Sequence, residues 1–415
     1  MPVMDIWHSQ AKCRLIRIIA GLVAGLTPLM LAACGGSTAA PKNAQVSGTP
    51  VKLMLLIDLS NTAGLYVGWR NAYQATVAAI NASGGINGHP LQLEVCDTAN
   101  DANATAGCGR KAVSEKVSAV VSLANYGSQY EPLLQAAGIP DIGNTVNDKI
   151  YFTSPVSFPL WVGGIGAVFA MGTITGYLKC KKAVEVAVQQ PSLISNSQAQ
   201  FVKGTQLSGV EAGTIVQGTP GAPDMAPYMA AALGQGADCV ALLAHGADVV
   251  GLIKAARQSG KSVQLIIPGP IPADSAASLG ADINGVHFAS ILRLASSASK
   301  YPLVKQWVDE INKYSDSPKA LDVQSANAWA SVHLFAYVAR KAKTTDSQSI
   351  LDQLNKTANY DLGVGPVVSF DKPAPTNPLG PRIFNPTVIY GHYANGQPVS
   401  DTGDFVNVFT GKPLS

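Results

Sequence analysis

The sequence predicts an α/β protein of two lobes, each built on a parallel sheet, with a cleft between them. Three observations carry this expectation. First, an apolar run over 51–57 is followed by a polar loop from Asp58 to Gly64. A helical pattern then places Trp69, Tyr73, Val77 and Ile80 on one face, stops at Gly84-Gly85-Ile86-Asn87-Gly88, and gives way to a second apolar run from Leu91. That is strand, loop, helix, turn, strand, the βαβ unit. Second, the same rhythm continues and then starts again in the middle of the chain. Third, 415 residues exceed one ordinary core and suit two domains.

The elements follow in order. After the second strand, which ends near Cys96, a helix is expected at about 103–116 and a strand at 118–123, ending in Asn125-Tyr126-Gly127. A short helix at about 128–137 leads through Gly138-Ile139-Pro140 to a fourth strand ending in Gly143-Asn144-Thr145. Alternating strands and helices of this kind predict a parallel sheet covered on both faces. Residues 157–178 read as one long apolar helix joining this series to the next. The second series has expected strands at 183–188, 213–216, 238–243, 263–267 and 286–290, with helices at about 196–207, 225–233 and from Asp248 to about Gln258. Asp248 caps or opens the last of these. Two such series in one chain suggest two lobes facing across a cleft. The last third is helical at 301–314, 323–340 and 347–355. A small β appendix then closes the chain, with a hairpin turn at Asn395-Gly396.

Composition narrows the function. Apolar residues make up 47% and charged residues only 13%, which excludes a disordered chain. Net charge is +3, and Lys12, Arg14 and Arg17 account for that excess. No basic stripe is present, which argues against a nucleic-acid partner. Those three residues precede an uncharged run over 18–33 that contains Pro28 and is shorter than the roughly 20 residues of a spanning helix. A basic start, an apolar middle and small residues before a cut describe a secretory signal over 1–33. Its end, Leu31-Ala32-Ala33-Cys34-Gly35, resembles the bacterial lipobox, which implies a lipid anchor on Cys34 and a location on the outer face of the cell membrane. An ordinary signal peptide with an incidental cysteine is the alternative. Residues 34–50 read as anchor and flexible tether.

Setting aside Cys13 and Cys34 leaves Cys96, Cys108, Cys180 and Cys239 of the six cysteines. In an exported chain these suggest two disulfides with three possible connectivities. Closeness in sequence favours Cys96 with Cys108. Cys180 and Cys239 each stand just before an apolar run, and a bridge joins them if those strands are neighbours. Free buried thiols are the alternative.

The turn Ala-Ala-Ile-Asn-Ala-Ser-Gly-Gly-Ile-Asn-Gly (78–88), followed by His-Pro-Leu-Gln-Leu-Glu (89–94), resembles a motif of the Leu/Ile/Val-binding family of ABC-transporter substrate-binding proteins. Residues 97–110 and Gly138-Ile139-Pro140 resemble later segments of that family, and the resemblance covers about 50–400. It implies the periplasmic-binding protein type I fold: two Rossmann-like doubly wound lobes with a hinge and a ligand cleft. The lobes expected are 51–165 plus about 290–362, and about 166–289 plus about 363–415. It also implies capture of a small molecule and delivery to a permease and its ATPase, with no cofactor, no metal and no catalysis.

Contacts carried over from the family are Ser60, Tyr66 and Trp69 after the first strand, and Asn125 and Tyr126 after the third. Thr145 and Asn147 follow the fourth. His245 and Asp248 stand in the second lobe, and Asn327 and Trp329 on the long late helix. Helix core is the plain alternative for Trp69, and a helix N-cap for Asp248. One departure is informative. Amino-acid binders of the family carry an acid after the strand matching 263–267, to pair the ligand's ammonium. This chain has Pro268-Gly269-Pro270-Ile271-Pro272 there and no acid before Asp274. A buried ammonium without a partner is costly. The expected ligand is therefore a neutral or weakly acidic organic molecule, with a branched-chain or other amino acid as the alternative.

Catalytic patterns are weak. No G-x-S-x-G occurs. Gly260-Lys261-Ser262 resembles the end of a P-loop but has Ala255 where the first glycine belongs and precedes a strand. The six histidines (8, 89, 245, 287, 333 and 392) show no metal-ligand spacing. A ligand-sensing domain without transport is the second reading of the same fold.

Overall fold

The computed structural model describes residues 46–60, 65–123, 127–145, 147–188, 191–372 and 377–414. The signal segment and Cys34 lie outside these residues. The first half runs β1 (Val51–Ile57), α1 (Leu65–Ala82), β2 (Leu91–Asp97), α2 (Ala102–Ser114), β3 (Ala119–Leu123), α3 (Glu131–Ala137), β4 (Asp141–Ile142) and β5 (Ser157–Phe158). Its strands form a parallel sheet in the order β2-β1-β3-β4-β5. β3 is buried along its whole length and β1 at all but one residue, as strands covered on both faces must be.

The second half follows through α4 (Gly163–Tyr177), β6 (Lys182–Ala187), α5 (Pro191–Leu207), β7 (Glu211–Ala212), β8 (Val216–Gln217), α6 (Ala226–Gly234), β9 (Cys239–Leu243), α7 (Gly246–Gln258), β10 (Gln264–Ile267), α8 (Ala273–Leu279) and β11 (Val286–Ser290). In this sheet β6 lies between β7 with β8 on one side and β9, β10 and β11 on the other. Counted from its own first strand, that is again 2-1-3-4-5, a doubly wound order. Period-2 alternation divides its faces. Cys239 and Ala241 join the core that contains α4, while Val240 and Leu242 join a second core with α6 and α7.

The chain then returns. α9 (Pro302–Tyr314) and α10 (Val323–Lys341) both pack on α1, α11 (Ser347–Leu354) packs on α10, and β12 (Tyr360–Asp361) and β13 (Val367–Val368) make a small ribbon. β14 (Thr387–Ala394) re-enters the second sheet antiparallel to β11, followed by β15 (Gln397–Ser400), β16 (Val406–Asn407) and β17 (Lys412–Pro413). Residues 159–162, 291–301 and about 355–386 are thus the three passages between the halves. Asn43–Ser415 forms one contact unit, and one core cluster runs through both sheets.

Four expectations change. The long helix starts at Gly163, and Ser157–Phe158 is the fifth strand of the first sheet. Pro159 explains this: it cannot sit inside a helix and it holds Phe158 extended. The strand expected at 213–216 is two short strands around Gly213. α5 begins at Pro191 instead of about 196. The C-terminal appendix is an integral part of the second sheet, because β14 supplies the edge that β11 would otherwise leave unpaired.

The motif turn has a clear construction. Asn81 accepts from Leu91 N at 2.7 Å and donates to Leu91 O at 2.8 Å, stitching the end of α1 to the start of β2. Gly84 and Gly85 both take positive φ, and Gly85 N closes the helix onto Ile80 O at 2.9 Å. Arg340 donates to Gly85 O, and Asn87 donates to Arg340 O, which locks the parallel pair α1 and α10 at this end. Both expected disulfides are present, with Cα–Cα distances of 5.8 Å for Cys96–Cys108 and 6.0 Å for Cys180–Cys239. Among the described residues no helix is long and apolar enough to cross a membrane.

Candidate functional site

In a doubly wound sheet, ligands bind beyond the carboxyl ends of the strands, where the strand order reverses. Here that point lies between β1 and β3 in the first sheet and between β6 and β9 in the second. Much of the local order in the first half comes from acids. Asp97, at the end of β2, accepts from Leu59 N at 2.9 Å, Ser60 N at 3.1 Å and Ala99 N at 2.8 Å, and from the Ser60 hydroxyl. Burial pushes the Asp97 carboxyl up, but these hydrogen bonds outweigh it and leave the pKa below the usual range. Asp58, fully buried after β1, accepts from the Thr98 hydroxyl and from Asn100 N at 3.3 Å. The loop that presents Ser60 is therefore set by carboxylates.

Tyr66 and Trp69 pack edge to face, ring centres 4.5 Å apart, at the start of α1. Trp69 Nε1 donates to Asp322 Oδ2 at 2.8 Å, while Asp322 Oδ1 caps α10 through Gln324 N and Ser325 N. Burial raises the Asp322 pKa against the pull of these donors. Trp69 is half-buried, so it combines a helix contact with an accessible edge.

After β4, Gly143 takes φ +73°, and a Cβ there would lie 1.8 Å from Ser331 Oγ. Asn327, fully buried, donates to Gly143 O at 2.7 Å, and its Oδ1 has no hydrogen-bond partner; nor does the buried Oδ1 of Asn144. Thr145 is buried in the same loop. Asn147 reaches the start of α4, where a Cβ on Gly164 would lie 2.2 Å from its Oδ1. Ser128 donates to Asp148 at 2.7 Å, tying the segment after β3 to the one after β4. Asn125 and Tyr126 lie outside the described residues.

In the second half, His245 is the exposed N-cap position of α7 without a side-chain cap bond. Asp248 lies in the first turn of α7 and accepts from Gly221 N at 3.1 Å, so it opens the helix instead of capping it and holds the 218–225 loop. Residues 268–272 carry no acid, and Asp274 is exposed in the first turn of α8. A groove lined by the 221–225 loop and α7 lies outside both switch points.

The structure brings Tyr66 and Trp69 together at the start of α1, holds Ser60 on Asp97 at the end of β2, and places Thr145, Asn147 and Asn327 around the loop after β4. Trp329 stands apart. Its Nε1 donates to Glu310 at 2.8 Å and its ring packs 4.3 Å from His333, inside the α9–α10 contact. A helix turns about 200° between residues two apart, so Asn327 and Trp329 face opposite ways. Sequence reasoning missed Asp97, which anchors Ser60, and Asp322, which anchors Trp69. The only trace of Asp97 is an acid at the end of a buried strand. Cys180, Asp238 and Cys239 are the one set of three close metal-ligand types among the described residues. The sulfurs are bonded to each other, and Asp238 accepts from Lys181 N and Lys182 N.

Residues 50–378 match the family model described as Periplasmic binding protein, and the chain belongs to that family of extracytoplasmic solute-binding proteins. No curated protein sequence matches it. An extracellular ligand-binding receptor from Verminephrobacter eiseniae superposes with TM-score 0.72 at 16% identity, covering 85% of this chain and 100% of that one. The leucine-binding protein LivK from Thermotoga maritima gives 0.68 at 15%, covering 86% and 99%. The substrate-binding protein LivJ from Streptococcus pneumoniae, solved with isoleucine, gives 0.66 at 20%, covering 85% and 100%. At these identities the likeness is one of fold.

Proposed function

We propose that this chain captures a small organic molecule between the carboxyl ends of its two sheets and hands it to an ABC permease with its ATPase. A lipid on Cys34 holds it at the outer face of the cell membrane. The observation that carries this reading is the repeated 2-1-3-4-5 strand order, which gives each half a switch-point crevice. The lobes are 51–165 with about 290–362, and about 166–289 with about 363–415. Ser60, Tyr66, Trp69, Thr145 and Asn147 are the contacts on one wall and His245 on the other; Asn125 and Tyr126, outside the described residues, are kept as contacts on the strength of the family resemblance alone.

The ligand is neutral or weakly acidic and lacks a simple α-ammonium group. No acid stands in 268–272, Asp274 is exposed, and Asp248 is committed to Gly221 N. In the first half, Asp97 and Asp322 are committed to backbone amides and Trp69. The names of LivK and LivJ favour the second reading, a branched-chain amino-acid binder. Isothermal titration decides between them. Leucine, isoleucine and valine are expected to give no heat, while small carboxylates, amides or aromatics bind. Micromolar binding of any of the three amino acids overturns the ligand assignment and leaves the capture reading intact.

A further inference from the structure

Ligand capture makes no use of the opposite end of the second sheet, at the amino-terminal ends of its parallel strands. There β11 and β14 pair with His287 directly opposite His392, so both imidazoles stand on one face. Their centres are 6.0 Å apart. Each ring is held through one nitrogen by an acceptor. Gln264 Oε1 lies 3.0 Å from His287 Nε2, and Asp401 Oδ1 lies 2.6 Å from His392 Nδ1. Those contacts place the ring protons on His287 Nε2 and His392 Nδ1. The lone pairs on His287 Nδ1 and His392 Nε2 are left over, and His287 Nδ1 is buried with no hydrogen-bond partner.

We propose that His287 and His392 form a site for a divalent transition metal such as Cu²⁺, Ni²⁺ or Zn²⁺, completed by water, with Asp401 and Gln264 as its orienting partners. A carboxylate on the far nitrogen of a ligating imidazole fixes the tautomer and raises ligand basicity. The spacing fits. A metal–nitrogen bond of about 2.0–2.1 Å puts the ion about 3.2 Å from each ring centre. A tetrahedral angle then needs centres about 5.2 Å apart, and wider angles up to about 6.4 Å, a range that includes the observed separation. The site opens to solvent on the His392 side, where that side chain is 35% exposed, while His287 Nδ1 is covered. Arg257 opposes a cation here. It is drawn to Asp282 O and Asn284 O, and Asp401 supplies the balancing charge. A bound ion would pin β14, the strand that returns the chain to this sheet, against β11.

The test is titration of the full mature chain, without an added histidine tag, with CuSO₄, NiSO₄ and ZnCl₂ at pH 7.5. One equivalent is expected, copper tighter than nickel or zinc. His287→Gln and His392→Gln should each weaken binding 10-fold or more, Asp401→Asn by about 10-fold, and His333→Gln not at all. Imidazole ¹H–¹⁵N spectra of the unaltered protein give a check that does not depend on variant folding: Zn²⁺ should shift His287 and His392 alone. Undiminished stoichiometric binding by the double variant, shifts confined to other histidines, or no binding by the wild type would each overturn the proposal.

Discussion

Single side chains carry more of this molecule than their surface positions suggest. Asp97 receives three backbone amides and one hydroxyl, so Asp97→Ala leaves the 58–60 loop without acceptors. The expected cost is about 2–3 kcal/mol in urea unfolding, with at least 10-fold weaker ligand binding. Its depressed pKa means that its stabilisation is present above about pH 4 and is lost as the pH falls through the folded value; Asp97→Asn should lack that acid limb. Glu185 behaves oppositely. It is 1% exposed in β6, and burial pushes its carboxyl from 4.5 up to about 8, with the Ser197 hydroxyl pulling back. It keeps its proton while the unfolded chain gives its own up. Stability is therefore complete below about pH 4.5 and declines as the pH rises to about 8. Glu185→Gln should gain on the wild type by about 2–5 kcal/mol between pH 5 and pH 8 in chemical denaturation.

At the level of elements, the closest helix pair is α4 with α5. A Cβ on Gly172 would lie 2.4 Å from Phe201 O and 2.8 Å from Gly204 Cα, both backbone atoms that cannot turn aside. Gly172→Val should cost about 2–3 kcal/mol. Gly234→Ala in α6, where nothing lies within 4 Å, should be neutral or slightly stabilising in the same melt. The disulfides differ in reach: 12 residues separate Cys96 from Cys108, and 59 separate Cys180 from Cys239. Loop-closure entropy assigns them about 3 and about 4 kcal/mol. Replacing the second pair by alanine should therefore lower the midpoint of unfolding more than replacing the first.

For the whole molecule, three passages join the halves. Arg293, in the second passage, donates to Gly363 O at 3.0 Å and Gly365 O at 2.6 Å, and its own amide donates to Val364 O at 2.7 Å. Its guanidinium lies 4.2 Å from the Tyr301 ring centre and 4.7 Å from that of Phe405. This one residue staples the second passage to the third. Arg293→Ala should cost about 2–3 kcal/mol. In small-angle scattering it should enlarge the radius of the ligand-free protein while leaving the ligand-bound one unchanged. Equal scattering of variant and wild type in both states would show that the staple does not set closure.

Local periodicity and turn chemistry determined the βαβ rhythm, the ends of most helices and the motif turn in which Asn81 and the two glycines sit. The rhythm, the helix ends and the motif turn were legible because each depends on residues a few positions apart, where periods of 2 and 3.6 and the left-handed freedom of glycine act; the cysteine pairing stayed open, since Cys180 and Cys239 meet across 59 residues. Pro159 is equally local: it ends the strand at Phe158 and keeps it out of the helix. The candidate site was legible only in outline: the strand-end loops could be named, but not which side chains face them. Asn327 and Trp329 are two residues apart and point to opposite neighbours. Asp97 meets Leu59 across 38 residues, and Trp69 meets Asp322 across 253. Strand order, the insertion of β14 beside β11 and the pairing of His287 with His392 were likewise decided by tertiary structure alone. A pattern along the chain states which face of an element is apolar, but the partner that covers that face is selected by packing and backbone pairing between distant segments.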